Sequence, residues 1–527
     1  MSRPLLRAMA TGSGFTMVSR VLGFARQMLL AGVLGAGGNP VADAFLAAFR
    51  LPNMFRRLLA EGAFQAAFVP LFQGAEARGD IAEAKRFAED VLAWLVLVLT
   101  GLTALVMVFA PIAVLTVAWG FKDDPARFDL TVFYTRIMFP YLACMSLVGL
   151  YGGMLNALER FAAAAAAPLL LNVALIAGLL AYKDAPTETV GLVASLSVMV
   201  GGVMQLAFLL IAAKRASLLL RLRRPRLSAG ARRMVSLGAP GFVAASALQV
   251  NGIVGTNVAS REDGAISWLF YADQLYQLPL AMIGIALGVV LMPAIGRAVK
   301  AGNEAGARET LGAGVETAML FALPAAAALV AMPAFVALAL FDELPAAILG
   351  RSRFSENDAA QVGAALYVYA FGVPAFVLQK VLSAAFFARE DTATPMRFAL
   401  TAIAINAGLS IGLFPYLGFL SVPVGTVSAS WAEVSLLAGT LGRRNLLGVR
   451  GKLFWRLAKM LALAGAMGWG LSWAVAHRDA VMPYVLGQSW LFLFVLTAAA
   501  AASYLALALA LGAVPLSRLR PARRSAA

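Results

Sequence analysis

Apolar runs of about twenty residues recur along this chain from end to end, and each is long enough to cross roughly 30 Å of hydrocarbon as an α-helix. The polar breaks between them are short, and only 13% of the residues are charged against 61% hydrophobic. A soluble chain of this length would normally divide into domains separated by polar linkers. The sequence therefore predicts an all-α polytopic membrane protein without soluble domains.

The apolar runs predict fourteen transmembrane helices. Their approximate ranges are 11–34, 41–72, 88–119, 130–157, 161–182, 188–212, 234–257, 265–296, 310–341, 360–388, 395–416, 421–442, 453–476 and 487–513. Alternate linkers are basic, whereas the others are mixed or acidic, as at Lys122, Asp123 and Asp124. By the positive-inside rule, both termini are predicted to lie in the cytoplasm.

The chain resembles itself after a shift of about 220 to 235 residues, since Pro111 recurs as Pro333 and Asn172 as Asn406. Each predicted repeat holds six helices and starts on the same side, so the halves are parallel repeats. The predicted parts are an N-terminal six-helix lobe with a basic linker, a C-terminal six-helix lobe, and helices 13 and 14 with a basic tail: 1–233, 234–450 and 451–527.

The composition excludes several kinds of chemistry. Cys144 is the single cysteine and His477 the single histidine, so a disulfide framework, a CxxC redox site and a His/Cys zinc site are ruled out. The net charge of +16 lies in short loops between apolar runs, which does not favour nucleic-acid binding. No span shows the nucleophile or carboxylate set that an intramembrane enzyme requires. We predict a protein that is not an enzyme and uses no metal or other cofactor.

Charged residues inside the first two predicted spans need a reason, because an arginine near a helix centre costs about 2.5–3.5 kcal/mol. They are Arg20, Arg26, Asp43, Arg56, Arg57 and Glu61. The net positive charge predicts a cavity for an anion, since guanidinium binds phosphate oxygens bidentately and stays charged. Pro52 and Asn53 predict a broken helix beside this cavity. The alternative is internal pairing, such as Arg57 with Glu61, and extension of Arg56 toward an interface.

The second half contributes fewer candidates. Asp273 and Gln274 are the buried polar positions of the predicted eighth span. Lys380 and Glu433 lie in the tenth and twelfth spans, where each either lines the cavity or pairs with a neighbour.

The linker 213–233 carries eight basic residues among leucines. This pattern suits a helix that lies on an anionic membrane surface. The alternative is a determinant of topology that has no separate function.

Three segments carry a resemblance to a known family: SRVLGFARQMLLAGVLGAG, ADAFLAAFRLPNMFRRLLAEGAFQAAFVPLF and WLFYADQLYQLPLAMIGIALGVVLMP. They resemble the MurJ (MviN) family of lipid II flippases, in the multidrug/oligosaccharidyl-lipid/polysaccharide exporter superfamily. The resemblance implies two six-helix lobes around a cationic central cavity, with helices 13 and 14 forming a groove for an undecaprenyl tail.

The implied function is the flipping of lipid II, the undecaprenyl-diphosphate-linked disaccharide pentapeptide, from the cytoplasmic to the outer leaflet by alternating access. Such a protein serves peptidoglycan biosynthesis and cell shape from the bacterial inner membrane. Its partners would be lipid II and membrane lipids, and the resemblance leaves open whether it also binds cell-wall synthases.

The resemblance also implies roles for individual residues. Head-group binding is assigned to Arg20, Arg26, Arg56 and Arg57, with Asp43 and Glu61 as acidic partners. Asp273 and Gln274 complete the predicted substrate-binding set. Gln274 replaces the arginine of the usual YADR motif, so the charge is either lost or supplied by Arg261 or Lys380.

Some relatives carry a sodium site between helices 7, 11 and 12. The matching positions here are Asn251, Asn406, Ser410 and Thr426, which are neutral. They argue against a tight sodium site.

A drug antiporter or a polysaccharide-lipid flippase of the same superfamily is the alternative function. An antiporter for cations should show a dominant buried carboxylate. The excess of arginine disfavours it.

Overall fold

Helices form all the regular structure in the part of the chain that the computed structural model describes, namely residues 3–59, 63–77, 81–226, 228–448, 451–481 and 487–513. The α-helices are α1 Arg3–Leu34, α2 Pro40–Leu59, α3 Ala63–Glu76, α4 Ile81–Val108, α5 Ala110–Val117, α6 Pro125–Met138, α7 Tyr141–Ala157, α8 Phe161–Ala181, α9 Thr187–Arg215, α10 Ala229–Ala259, α11 Ala265–Lys300, α12 Glu304–Ala331, α13 Pro333–Leu338, α14 Leu344–Leu349, α15 Glu356–Phe387, α16 Ala393–Gly412, α17 Phe414–Leu417, α18 Ser421–Arg443, α19 Gly451–Ala476, α20 Arg478–Val481 and α21 Ser489–Ala510. Short 3-10 turns at Trp119–Asp123 and Gly418–Leu420 and a π turn at Ala339–Glu343 complete them.

Proline residues divide several predicted spans into two helices. Pro111 lies in the first turn of α5, and Pro333 is the first residue of α13. Pro140 lies between α6 and α7. Proline is tolerated in a first turn, where its missing N–H would have no partner within the helix.

Eight helical segments among the described residues are long and apolar enough to cross a membrane. A bent pair, Ala393–Gly412 with Phe414–Arg443, turns by 54° and makes nine if it is one span. The predicted all-helical membrane class is therefore confirmed, whereas the number fourteen stays a prediction.

The first of two compact units comprises Met1–Ser267 and Pro345–Ser355, and so includes α10. Its core contains a stack of phenylalanines from α3 and α4, with ring centroids of Phe68 lying 5.7 Å from Phe72 and 5.6 Å from Phe87. Gln65 of α3 donates a hydrogen bond to the Gly149 carbonyl oxygen of α7 (2.6 Å). Aromatic stacking and this bond hold α3 between α4 and α7.

A loop from the second half of the sequence completes the first unit. The Arg353 backbone N–H donates to the Gly32 carbonyl oxygen (2.7 Å), and its guanidinium donates to the carbonyls of Val33 (3.1 Å) and Ala185 (2.6 Å). Gly32 leaves no room for a side chain, since a Cβ there would lie 2.4 Å from Pro345. The end of α1 is thereby joined to this loop.

The second unit comprises Trp268–Leu344 and Glu356–Ala527. The Trp268 indole donates to the Asp358 carboxylate (2.8 Å), which joins α11 to α15. Arg456 of α19 pairs with Glu316 of α12 at 3.2 Å. This pair attaches α19, the predicted thirteenth span, to the helices of the unit.

Candidate functional site

Arg20 and Arg26 flank the face of α1 that packs against α8. The Asn172 side chain of α8 donates to the Ser19 carbonyl oxygen (3.1 Å) and lies against Gly23. Because α1 is helical through Gly23, residues 20 and 26 stay about 120° apart around its axis. Arg20 is exposed, whereas Arg26 is half-buried.

A second cation, Arg56 of α2, lies near Arg26. The two guanidinium groups are close enough to interact electrostatically, and Tyr141 of α7 is also close to Arg26. The Asn53 Oδ1 atom accepts hydrogen bonds from Arg56 Nε (3.0 Å) and Nη2 (2.8 Å). The structure therefore brings Arg26 and Arg56 together and orients one of them.

The orienting role of Asn53 was missed by sequence reasoning, which assigned Asn53 and Pro52 to a helix break. α2 is helical through Pro52, so the predicted break at that point is wrong. A side-chain acceptor three residues before an arginine, on the same helix face, was the available signal.

Two candidates of the second predicted span remain, Arg57 and Glu61. Arg57 is exposed. Glu61 lies outside the described residues, and so does its predicted pairing with Arg57.

Asp43 has a different environment from that of the arginines. It is fully buried and accepts hydrogen bonds from the backbone N–H groups of Gly264 and Ser267, both at 2.9 Å, and from the Ser267 hydroxyl at 2.5 Å. These donors lie at the start of α11, where unpaired N–H groups and the helix dipole favour a carboxylate. Arg127 Nη1 lies 4.0 Å from Asp43. Thirteen residues, or about 20 Å of helix, separate Asp43 from Arg56.

Arg127 also borders a polar pocket of about 790 Å³ in the first unit. Its Nη1 atom donates to Asp263 (2.8 Å), and its Nε atom lies 3.4 Å from the Asp124 carboxylate. The charged lining residues are Lys122, Asp123, Asp124, Arg127, Arg261 and Asp263. Three positive and three negative charges balance, so the pocket as a whole does not favour an anion.

Asp273 and Gln274 lie within α11, in the second unit. The Gln277 side chain donates to Asp273, and the Tyr276 hydroxyl is within hydrogen-bonding range of the same carboxylate. Gln274 is half-buried. Arg20 and Arg26 belong to the first unit.

Lys380 and Glu433 have different neighbours. The Lys380 ammonium lies against Gly284 of α11, 3.0 Å from the position that a Cβ would take. Gly284 is ten residues beyond Gln274, or about 15 Å along the helix. Glu433 accepts a hydrogen bond from Gln379 (2.9 Å). Lys380 therefore lies beside a different turn of α11 from the one that carries Gln274. Arg261 lies in the lining of the polar pocket of the first unit.

Asn406 and its polar neighbours form a hydrogen-bonded group in the second unit. The Asn406 Oδ1 atom accepts from the hydroxyls of Ser410 (3.1 Å) and Thr426 (3.4 Å). Asn406 and Ser410 are buried. These groups hydrogen-bond to one another, and the described part of the chain holds no group of three or more His, Cys, Asp or Glu that could bind a metal ion.

Comparison with known proteins gives one consistent family. The model of the family described as "Lipid II flippase MurJ" matches residues 30–489. The chain is 42% identical over 475 residues to the "Probable lipid II flippase MurJ" of Rhizobium meliloti (strain 1021), covering 89% of this chain and 87% of that protein. It is 36% identical to the "Lipid II flippase MurJ" of Burkholderia cenocepacia, covering 80% and 81%.

Solved structures agree on the fold. "Lipid II flippase MurJ, inward closed conformation" matches with a TM-score of 0.72 and 21% identity, covering 89% of this chain and 99% of that chain. An inward-facing multidrug resistance MATE family transporter of the MOP superfamily matches with a TM-score of 0.64 and 16% identity, covering 83% and 98%. At these identities, the structural matches establish the fold alone.

Proposed function

This chain belongs to the MurJ family, and we infer from that membership that it is a lipid II flippase of the bacterial inner membrane. It is a multi-pass transporter that serves peptidoglycan biosynthesis, and the family implies no catalytic chemistry. The drug-antiporter alternative is not favoured, because the MATE transporters share only the fold at 16% identity.

We propose that Arg26 and Arg56 bind the diphosphate of lipid II. The single observation that carries this proposal is the proximity of two like charges, one of which is oriented by Asn53. Two neighbouring cations in a membrane protein repel each other, and an anion between them removes that cost. The guanidinium fork of Arg56 is already directed, so little side-chain entropy is lost on binding.

The proposed substrate set also includes Arg20, Arg57, Glu61, Asp273 and Gln274. Arg20 and Arg57 are exposed, which leaves their guanidinium groups accessible to a head group. Asp273 shares its carboxylate with Gln277.

For Asp43 we propose a positioning role. Its carboxylate accepts three hydrogen bonds at the start of α11, and direct binding of a diphosphate would oppose its charge. In an alternating-access cycle, these bonds would hold the start of α11 against α2 in one state and break in the other.

The direction of transport rests on the predicted orientation. With basic linkers and both termini in the cytoplasm, lipid II would enter from the cytoplasmic leaflet and leave to the outer leaflet. The attachment of α19 to α12 through Arg456 and Glu316 is compatible with a tail groove built by the last two spans.

Binding of lipid II to the purified protein tests the arginine proposal. Arg26→Ala and Arg56→Ala should each weaken binding about tenfold or more, because a hydrogen bond to a charged group is worth about 1.5–3 kcal/mol. Arg56→Lys should recover only part of the loss, since a point charge cannot replace the fork.

Arg136→Ala is the matched control. Arg136 is an exposed arginine of α6 in the same unit, and its Nε atom donates to the Met107 carbonyl oxygen (3.2 Å). Equal binding by the parent, both site variants and the control would refute the assignment of the diphosphate to Arg26 and Arg56. It would leave the family's transport activity untouched, which a leaflet assay of lipid II measures separately.

A further inference from the structure

Residues 216–226, here called the basic strap, connect α9 to α10 without forming a helix. The predicted surface helix over this linker is therefore wrong for these residues. Ser217 adopts a positive φ of 58°, and the Leu218 N–H donates to the Ala213 carbonyl oxygen (2.8 Å). This arrangement terminates α9 and satisfies one of its last carbonyls. The chain beyond it lies against α4.

Glu89 of α4 holds the middle of the basic strap. Its Oε1 atom accepts from the Arg221 backbone N–H (3.1 Å), and its Oε2 atom lies 2.7 Å from Arg223 Nε. Glu89 is buried beneath the strap. One buried carboxylate thus anchors both the backbone and one of the arginines.

The two ends of the basic strap fix its depth along α4. Lys85 donates to the Ser217 carbonyl oxygen (3.1 Å), and the Trp94 indole donates to the Arg226 carbonyl oxygen (3.1 Å). The sequence of α4 carries charged residues up to Asp90 and none from residue 91 to its end. Trp94 therefore lies in the first apolar turn, where tryptophan commonly marks the membrane interface. The basic strap lies at the level where the polar end of α4 gives way to its apolar part.

The side chains of the basic strap divide into two sets. Leu218 and Leu220 are buried in the core of the first unit, whereas Leu222 is 65% exposed. The guanidinium-bearing residues Arg224 and Arg226 are exposed beside it. An exposed leucine flanked by exposed arginines at an interface matches the chemistry of a phospholipid headgroup region, with acyl chains on one side and phosphates on the other.

We propose that the basic strap is a binding surface for anionic phospholipid headgroups, with Arg221, Arg224 and Arg226 as the phosphate-binding residues and Leu222 reaching the acyl region. The charge supports an anionic lipid, because Glu89 offsets Arg223 only. A basic residue near an anionic surface contributes enough for roughly a fivefold change in affinity. The surface is distinct from the Arg26 and Arg56 pair and does not depend on the proposed diphosphate site.

The test measures the thermal unfolding midpoint of the detergent-purified full chain during titration with phosphatidylglycerol, with phosphatidylcholine as the neutral lipid. Phosphatidylglycerol should raise the midpoint of the parent protein. The triple variant Arg221→Gln, Arg224→Gln and Arg226→Gln should need at least about tenfold more of this lipid for the same rise. A rise of equal size with phosphatidylcholine would overturn the proposal.

A charge-matched triple variant controls for general surface charge. It changes three exposed basic residues of α11 and α19: Arg297→Gln, Lys300→Gln and Lys452→Gln. This variant should respond to phosphatidylglycerol as the parent does. An equal loss in both triple variants would show that net charge alone sets the response and would refute a site at the basic strap.

Two further comparisons complete the test. The first asks whether the response needs the anchoring of the basic strap as well as its charges, and the second asks whether free phosphate can replace the lipid. Glu89→Gln keeps every arginine but loosens the basic strap, so it should weaken the response of the unfolding midpoint to phosphatidylglycerol. Asp90→Asn on the same helix should leave that response unchanged.

Inorganic phosphate in place of lipid should leave the midpoint of the parent unchanged. A shift with inorganic phosphate equal to that with phosphatidylglycerol would mean that the strap binds free anions, and the lipid proposal would fail.

Discussion

Replacing Asp43 by alanine separates the role that its geometry supports from the substrate role that the sequence predicted. The change removes the acceptor of three hydrogen bonds and leaves buried donors on Gly264 and Ser267. An unsatisfied buried donor costs about 1–3 kcal/mol, so three would cost about 3–9 kcal/mol if nothing relaxed. Removal of a buried charge and entry of water offset part of this. We expect Asp43→Ala to lower the free energy of unfolding by about 3 kcal/mol.

The measurement is thermal unfolding of the purified protein, together with lipid II binding below the transition. For a chain of this size, about 3 kcal/mol corresponds to a fall of roughly 3 °C. Ser267→Ala removes only the hydroxyl donor and should cost about 1 kcal/mol. Asp129→Ala, at an exposed aspartate of α6, is the matched control and should stay within about 0.5 kcal/mol of the parent.

The opposite result would identify Asp43 as a substrate ligand. If Asp43→Ala melts as the parent does but binds lipid II at least tenfold more weakly, the carboxylate is free to meet the head group. The reasoning from its three hydrogen bonds would then be wrong.

Three further predictions concern single residues. Asn53→Ala should weaken lipid II binding several-fold without changing the unfolding midpoint by more than about 2 °C, because it removes the acceptor that orients Arg56 without removing the charge of Arg56. A binding isotherm decides, and unchanged affinity would contradict the orienting role. Gln274→Arg should maintain or tighten binding in the same assay, whereas weaker binding would show that another cation already occupies that space. Hydrogen bonds from Arg444 and Thr394 hold the pKa of Asp391 below its ordinary value of 3.8. The stabilising contribution of Asp391 is therefore present above that pH and lost as the pH falls below it. Asp391→Asn should flatten the fall of the unfolding midpoint below about pH 4.

The periodicity and charge of the sequence were sufficient to predict the class of fold. They did not predict which prolines end a helix. Pro111 and Pro333 each lie in the first turn of a short helix that follows a long one, so each divides a span that the sequence predicted as a single helix. Pro52 does not interrupt α2. A proline removes one hydrogen bond, and whether the helix ends there depends on neighbours that are distant in sequence.

The sequence was sufficient to predict which residues belong to the candidate site. It did not predict which groups those residues contact. Arginine in an apolar span had to be functional or paired, and Arg26 with Arg56 could be proposed from that alone. The partners of Asp43 could not be predicted from the sequence. Gly264 and Ser267 lie more than 200 residues away, and they donate mainly through backbone groups that any sequence carries. The non-helical form of the basic strap was hidden for a similar reason, since it depends on the buried Glu89 of another helix.

The continuity of α2 gives the two proposals a common mechanical basis. Asp43 is near one end of this helix and Arg56 near the other, about 20 Å apart, and the helix is unbroken between them. If a diphosphate that draws Arg56 toward Arg26 also displaces α2 as a unit, the displacement reaches Asp43 at the other end of the helix. That movement would strain the bonds from Asp43 to the start of α11, whose donors have few alternative acceptors in a buried site. Substrate binding at one end of α2 and release of α11 at the other would then be two consequences of one displacement.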